Sequence, residues 1–324
     1  MIGLVATAAL LLAPMVQTAP PTAAPQTAVP QAQTSDDPAT TLDDIVVNGR
    51  PLDQMARDFV GEIAAPNGPR GLARWNGSVC IGVTNLKAEI GQYIVDRVST
   101  VAEDLGLTPG APGCKPNVII IASADPDRMA SELLDARPRA FRTTSVQMDQ
   151  GGEALEAFRT STRPVRWWQV SMPVNSDTGE RAIRLAGDLD PSTGAPAYPM
   201  VAVSGPSRFR TQIRDDMVRS VIILDVDRLG GVNLVQLADY VSMVALAQID
   251  ADAKMEGYDT ILNVFDHPEA VSGLTDLDVS YLNGLYRIEQ TRTNPGAQAR
   301  AVAGELARNL RRDPAAQGAP PPTQ

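Results

Sequence analysis

Reactive side chains are few in this chain, and their types narrow the chemistry open to it. There is one histidine, His267, and there are two cysteines, Cys80 and Cys114. A single imidazole excludes His-rich zinc sites, an HExxH metalloprotease and any two-histidine acid–base pair. His267 stands in Phe265-Asp266-His267-Pro268-Glu269, which reads as a polar loop. A Ser-His-Asp triad would need it as the base. No G-x-S-x-G elbow supplies the serine, since Val203-Ser204-Gly205-Pro206-Ser207 lacks that spacing. Neither a Walker loop nor a strand-linked G-x-G-x-x-G occurs, which disfavours nucleotide chemistry. Asp250, Asp252 and Glu256 alternate acidic oxygens as calcium loops do, but Met255 replaces the required glycine and Ile261 the bidentate glutamate. A solvated acidic turn is the expectation there.

Three groups of candidates remain. Asp239 and Ser242 fall three apart in a stretch that is otherwise apolar, so both would be buried on one helix. A buried carboxylate must be paired or hydrogen-bonded. Arg219 or Arg184 is the expected partner, and a catalytic Asp239 is the alternative. Arg163, Arg166, Trp167 and Trp168 form a cationic and aromatic cluster, either a groove for a peptide or protein or a packed strand with snorkelling Arg heads. Cys80 sits in the first predicted core strand and Cys114 lies just before the next, so the two would be close if those strands are neighbours. They form a disulfide in an oxidising compartment, or remain two buried thiols.

The elements that would position these residues follow from periodicity. Val79, Ile81 and Val83 alternate as a strand does. Asn85 is placed to cap a helix whose stripe is Ile90, Ile94, Val98, Val101 and Leu105, ended by Gly106. Asn117 to Ala122 is a continuous apolar run, so this unit predicts a βαβ crossover with parallel strands. A short helix opens at Asp125-Pro126, with Leu133 and Leu134 inward. Residues 143–153 read as a loop, Arg163 to Val174 as a strand with an amphipathic edge, and 186–209 as a long surface excursion. Val218 to Val226 predicts a strand, followed by a helix from an Asn233 cap to about Gln248. That helix is apolar nearly all round, with Gln236, Asp239 and Ser242 as its polar stripe. Further helices are expected at 258–265, from Thr275 to Tyr286, and from Pro295 to Arg312, the last Ala/Arg-rich and loosely packed.

At the amino end, residues 1–17 have an apolar run like the core of a signal peptide or anchor, too short for the roughly 20 residues of a spanning helix. Residues 18–42 are an Ala/Pro/Thr-rich tether. The expected organisation is one globular α+β domain over 43–290, then a C-terminal helix and tail over 291–324. The formal charge of −10 argues against sequence-independent nucleic-acid binding.

The order helix, strand, edge strand, strand, buried central helix and C-terminal helix resembles the zincin-like metallopeptidase fold. The strand VRSVIILDV, the helix LVQLADYVSMVALAQ and the segments TILNVFD and LTDLDVSYLNGLYR carry the resemblance, over about Trp75 to Arg287. The chain also looks like a group of exported bacterial proteins. In zincins the central helix carries HExxH, and the matching positions here are Ala238, Asp239 and Ser242. The resemblance implies a central mixed sheet with a buried central helix but no metal. It also implies that the edge strand, which binds extended peptide in zincins, could keep such a groove. Asp43 to Arg50, DDIVVNGR, resembles the opening of the plug in TonB-dependent receptors over that fragment alone, with no barrel pattern downstream. Together these readings predict a periplasmic or secreted protein without cofactors that takes a peptide or envelope protein and meets a membrane only through its N-terminal segment. The alternative is a metal-independent hydrolase using Asp239.

Overall fold

The computed structural model describes residues 51–66, 70–142, 150–183, 187, 189, 191–192, 194, 200–201, 210–291 and 294–312 of the 324-residue chain. The N-terminal segment and tether, the DDIVVNGR fragment, Arg184, Val203 to Ser207 and the tail from 313 lie outside the described residues.

One four-stranded mixed sheet lies at the centre, in the order β1, β2, β4, β3. The strands are β1 (Ile81–Thr84), β2 (Val118–Ser123), β3 (Val165–Asn175) and β4 (Ile213–Asp225). β1, β2 and β4 run parallel, and β3 is antiparallel to β4 at the outside. Helix α2 (Ala88–Asp104) joins β1 to β2, as the βαβ pattern predicts, burying Ile94, Val98 and Val101. Asn85 does not cap it. Its backbone is left-handed, with φ 63°, and its side-chain amide instead donates to the Ala122 carbonyl at 3.1 Å, tying the turn to β2.

Alternation along the strands divides two apolar layers. On one face Val165, Trp167, Ile222 and Leu224 join the main core. On the other, Trp168, Val170, Val221 and Ile223 meet Ala130, Phe141 and Phe158. Those last three come from α3 (Pro126–Ala136), α4 (Pro138–Phe141) and α5 (Gly151–Thr160). The strand β3 is therefore covered on both faces, not amphipathic. Of the expected loop over 143–153, residues 143–149 lie outside the described residues and 151–153 instead open helix α5, whose leading glycines mask a following apolar stripe of Ala154, Leu155 and Phe158.

The main core gathers α1 (Leu52–Ile63), α2, α6 (Leu234–Leu246), α7 (Asp276–Arg287) and α8 (Pro295–Arg312). The sequence reading gives α1 no element, although Ala56, Phe59, Val60 and Ile63 recur at helical spacing and all are buried. Helix α8 is a core element rather than a loose one, burying Val302, Ala303, Leu306, Ala307 and Leu310. The expected helix at 258–265 shortens to a single 3-10 turn, Ile261–Asn263. No helix among the described residues is long and apolar enough to cross a membrane.

Helix α6 is buried from Gln236 to Leu246. Its C-terminal end, through Ala247 and Gln248, is buried, so side chains must satisfy the carbonyls there, whereas the start, at Asn233 and Val235, is exposed. Asn233 and Gln236 form a capping box at the start. At the far end Gln169 donates to the carbonyls of Val244 and Ala247, the Trp75 indole donates to Ala245, and the Tyr286 hydroxyl donates to Leu246. Three separate segments thus hold one helix terminus.

Cys80 and Cys114 form a disulfide, with a Cα separation of 6.1 Å. Gly110 permits it: a Cβ there would stand 2.5 Å from the Cys114 sulfur. Breaking the bond, by reductant or by the double substitution C80S/C114S, is expected to cost about 2–4 kcal/mol. Thermal unfolding checks this, and the reduced wild type should melt with the double variant.

A buried acid opens α7. Asp278 is fully buried and accepts from the Thr260 hydroxyl, the Ile261 N–H, and both the N–H and hydroxyl of Thr275, at 2.5–3.0 Å. Loss of hydration outweighs those donors and pushes its pKa up to about 6. The folded chain then holds this proton more tightly than the unfolded chain. Its contribution is present at pH ~4 and below, and is lost as pH rises to about 6, an expected loss on the order of 3 kcal/mol. Urea unfolding from pH 4 to 7, compared with Asp278→Asn, isolates the group: the wild type should lose stability across that window by this much more than the variant.

Candidate functional site

The two polar candidates of α6 face away from any opening. Asp239 is 2 % exposed. One oxygen takes a short hydrogen bond and ion pair from Arg97 of α2, and the other accepts the Leu274 N–H at 2.8 Å. The partner is Arg97 rather than the expected Arg219, whose guanidinium donates to the Ala140 carbonyl at 3.0 Å. The hydrogen bond to Asp239 holds the Arg97 guanidinium above its ordinary range. Gly273 closes the other side, where a Cβ would lie 2.5 Å from the Asp239 carboxylate. Ser242 donates back to the Ala238 carbonyl one turn earlier, at 2.8 Å. The two side chains share a helix but no chemistry. Asp239 pins α6 to α2 and to the chain entering α7, while Ser242 bonds within its own helix.

Of the cationic and aromatic cluster, Arg166, Trp167 and Trp168 are likewise buried, while Arg163 stays partly exposed. Arg166 is 4 % exposed; it donates to the carbonyls of Phe158, Arg159 and Ser161, and pairs with Asp127 at 2.7 Å. It therefore caps the C-terminus of α5 and ties it to α3. The Trp168 indole donates to the Phe141 carbonyl at 2.7 Å, in the second core. The Trp167 indole donates to the Ile249 carbonyl at 3.0 Å, on the opposite face. Neighbours in sequence, the two tryptophans are separated by the sheet. His267 is exposed in its loop.

The concave surface lies elsewhere on the same elements. A cleft of about 270 Å³ opens between the start of β3, the buried helix α6, the 249–256 segment and the 3-10 turn. Its wall includes Arg163, Trp167, Tyr240, Asp250, Asp252 and Asp266. A neighbouring hollow of about 360 Å³ shares Arg163, Trp167 and Ile249 to Asp252, so the two adjoin along one furrow. An Arg163–Asp252 ion pair at 3.1 Å spans the shared stretch. The Asp252 N–H donates to Asp250, and the Lys254 N–H donates to Glu62. The acidic turn is thereby shaped by local bonds. Among the described residues no group of three or more His, Cys, Asp or Glu is placed to hold a metal ion.

Sequence reasoning marked the acidic turn and Trp167 but not Tyr240, which completes the cleft. Tyr240 stands beside Asp239 in the chain yet projects from a different side of α6, toward β3, where its ring meets Trp167 edge-on at 6.2 Å. The helical step of about 100° per residue was the signal available. Compared with models of known families, with curated proteins and with solved structures, the chain matches none of them.

Proposed function

We propose that this chain is a non-enzymatic binding or structural protein of the cell envelope, built on a zincin-like topology without zinc chemistry. The observation that carries the reading is the sealing of Asp239: the acid at the place where that resemblance would put a catalytic glutamate is occupied on both oxygens and shut off from the cleft. Ala238 and Ser242 stand where two histidines would be, and neither supplies an imidazole. An antiparallel outer strand β3, its partner β4 and the buried α6 that follows support the topology. The furrow between β3 and α6 is the surface left for a peptide or an envelope protein. The apolar N-terminal run and the disulfide support export to an oxidising compartment, periplasmic or extracellular.

Purified full-length chain should neither cleave a mixed peptide library nor carry stoichiometric zinc by elemental analysis. Peptide turnover that disappears in Asp239→Ala, with the variant still folded, would restore the hydrolase alternative. Zinc at one equivalent would overturn the topology's lack of metal chemistry. Fractionation of cells expressing the chain should recover it outside the cytoplasm.

A further inference from the structure

The cleft beside β3 has at its base a tyrosine whose hydroxyl has no protein partner among the described residues and is open to solvent. Tyr240 is 5 % exposed, with its ring held edge-on by Trp167 at 6.2 Å and Phe265 at 5.0 Å. No described residue hydrogen-bonds its hydroxyl, and Tyr240 is one of the residues that line the cleft. A buried phenol normally finds a partner. Burial raises its pKa far above the usual range, and the charges acting on it are Arg163 and Asp266, both on the cleft wall. The hydroxyl thus looks into the cleft and stays neutral, able to accept one hydrogen bond and donate another.

The rim sets the sign of a ligand. Asp250, Asp252, Glu256 and Asp266 face Arg163 and Lys254. Arg163 is paired with Asp252, which leaves three carboxylates against one ammonium. An anion entering here meets that surplus as well as the chain's overall charge of −10. At about 270 Å³ the cleft is smaller than the roughly 300–1,000 Å³ of drug-sized sites, so it suits a head group on a slim chain.

We propose that this cleft binds an organic cation, an alkylammonium or guanidinium group, whose N–H bonds reach the Tyr240 oxygen and the carboxylates of Glu256 and Asp266. The proposal rests on the binding-protein reading and names its ligand chemistry. A basic side chain of a peptide and a free polyamine present the same group.

The test is calorimetric titration of the full-length chain, with tryptophan fluorescence as a second readout. The probes are agmatine, spermidine, acetyl-Gly-Arg-Gly-amide, and the same peptide with neutral citrulline in place of arginine. The cationic probes should bind saturably, at least about tenfold weaker in about 0.5 M NaCl and in the double variant E256Q/D266N. Tyr240→Phe should weaken binding about 5- to 10-fold, with circular dichroism and Tm at least equal to wild type. A preference for the peptide over the free amines, or the reverse, assigns the source and supports the site either way. Equal binding of the citrulline peptide overturns the cation proposal while leaving a binding protein. No saturable binding of any probe at about 10 mM, or unchanged affinity in folded Tyr240→Phe, overturns the site. Cleavage of a bound peptide overturns the non-enzymatic reading while leaving the cation site standing.

Discussion

Replacing Arg97 with alanine is expected to destabilise the protein by about 3–5 kcal/mol, more than replacing its partner Asp239. The asymmetry comes from exposure. The Arg97 side chain is 34 % exposed and that of Asp239 is 3 %. When Asp239→Ala removes the acid, the guanidinium turns into water and recovers hydration. What is lost is the acceptor of the Leu274 N–H and some packing, about 1–3 kcal/mol. When Arg97→Ala removes the cation, the carboxylate stays behind in a space closed by Gly273 and the 274 backbone. The double variant should be more stable than Arg97→Ala alone, because the stranded charge has gone. Urea unfolding of the three variants measures the non-additivity. If Arg97→Ala instead costs less than about 1 kcal/mol, water or solvent protons reach Asp239, and carboxylate chemistry on α6 returns as a live reading.

That pair also marks where local pattern stops informing. The need for a partner to Asp239 follows from its apolar surroundings alone. The identity of the partner does not, because Arg97 is 142 residues away in the chain and periodicity carries no record of which helices meet. The βαβ unit, the capping box at Asn233 and the cap at Thr275 were legible because each rests on neighbours within one or two turns. Helix α1 is equally legible by spacing, but its apolar stripe closely follows a segment whose composition suggests a tether. The cleft was half legible. Most of its acidic rim, Asp250 to Glu256, is one short run, but its floor depends on Tyr240 facing β3 across the core, and that orientation is set by how α6 is clamped at Val244 to Ala247. The zincin-like reading depends on strand order. The parallel order of β1, β2 and β4 with an antiparallel β3 outside supports it as a proposal about topology.

Trp168→Ala is expected to cost about 3–5 kcal/mol and to loosen the layer of α3, α4 and α5. Trp168 is 1 % exposed, packs with Phe158 at 6.1 Å between ring centres, and holds the Phe141 carbonyl through its indole. The second core is small, with Ala130, Phe141, Phe158, Val170, Val221 and Ile223 as its other buried members. Loss of its largest side chain cannot be shared out among many fully buried neighbours, and refilling the space would require the half-buried Met129, Leu133, Leu134 and Leu155 of the short helices to move inward. Trp167, on the opposite face, sits in the main core and at the cleft wall. Trp167→Phe should therefore spare stability more than Trp168→Ala while changing ligand capture, since it removes the bond to Ile249 that positions the 249–256 turn. Hydrogen exchange separates the two variants: faster exchange confined to α3–α5 for Trp168→Ala, and to the 249–256 turn for Trp167→Phe. If Trp168→Ala stays as stable as wild type and loses peptide capture instead, then the paired tryptophans form one recognition patch, and burial on opposite faces of the sheet cannot describe them in solution.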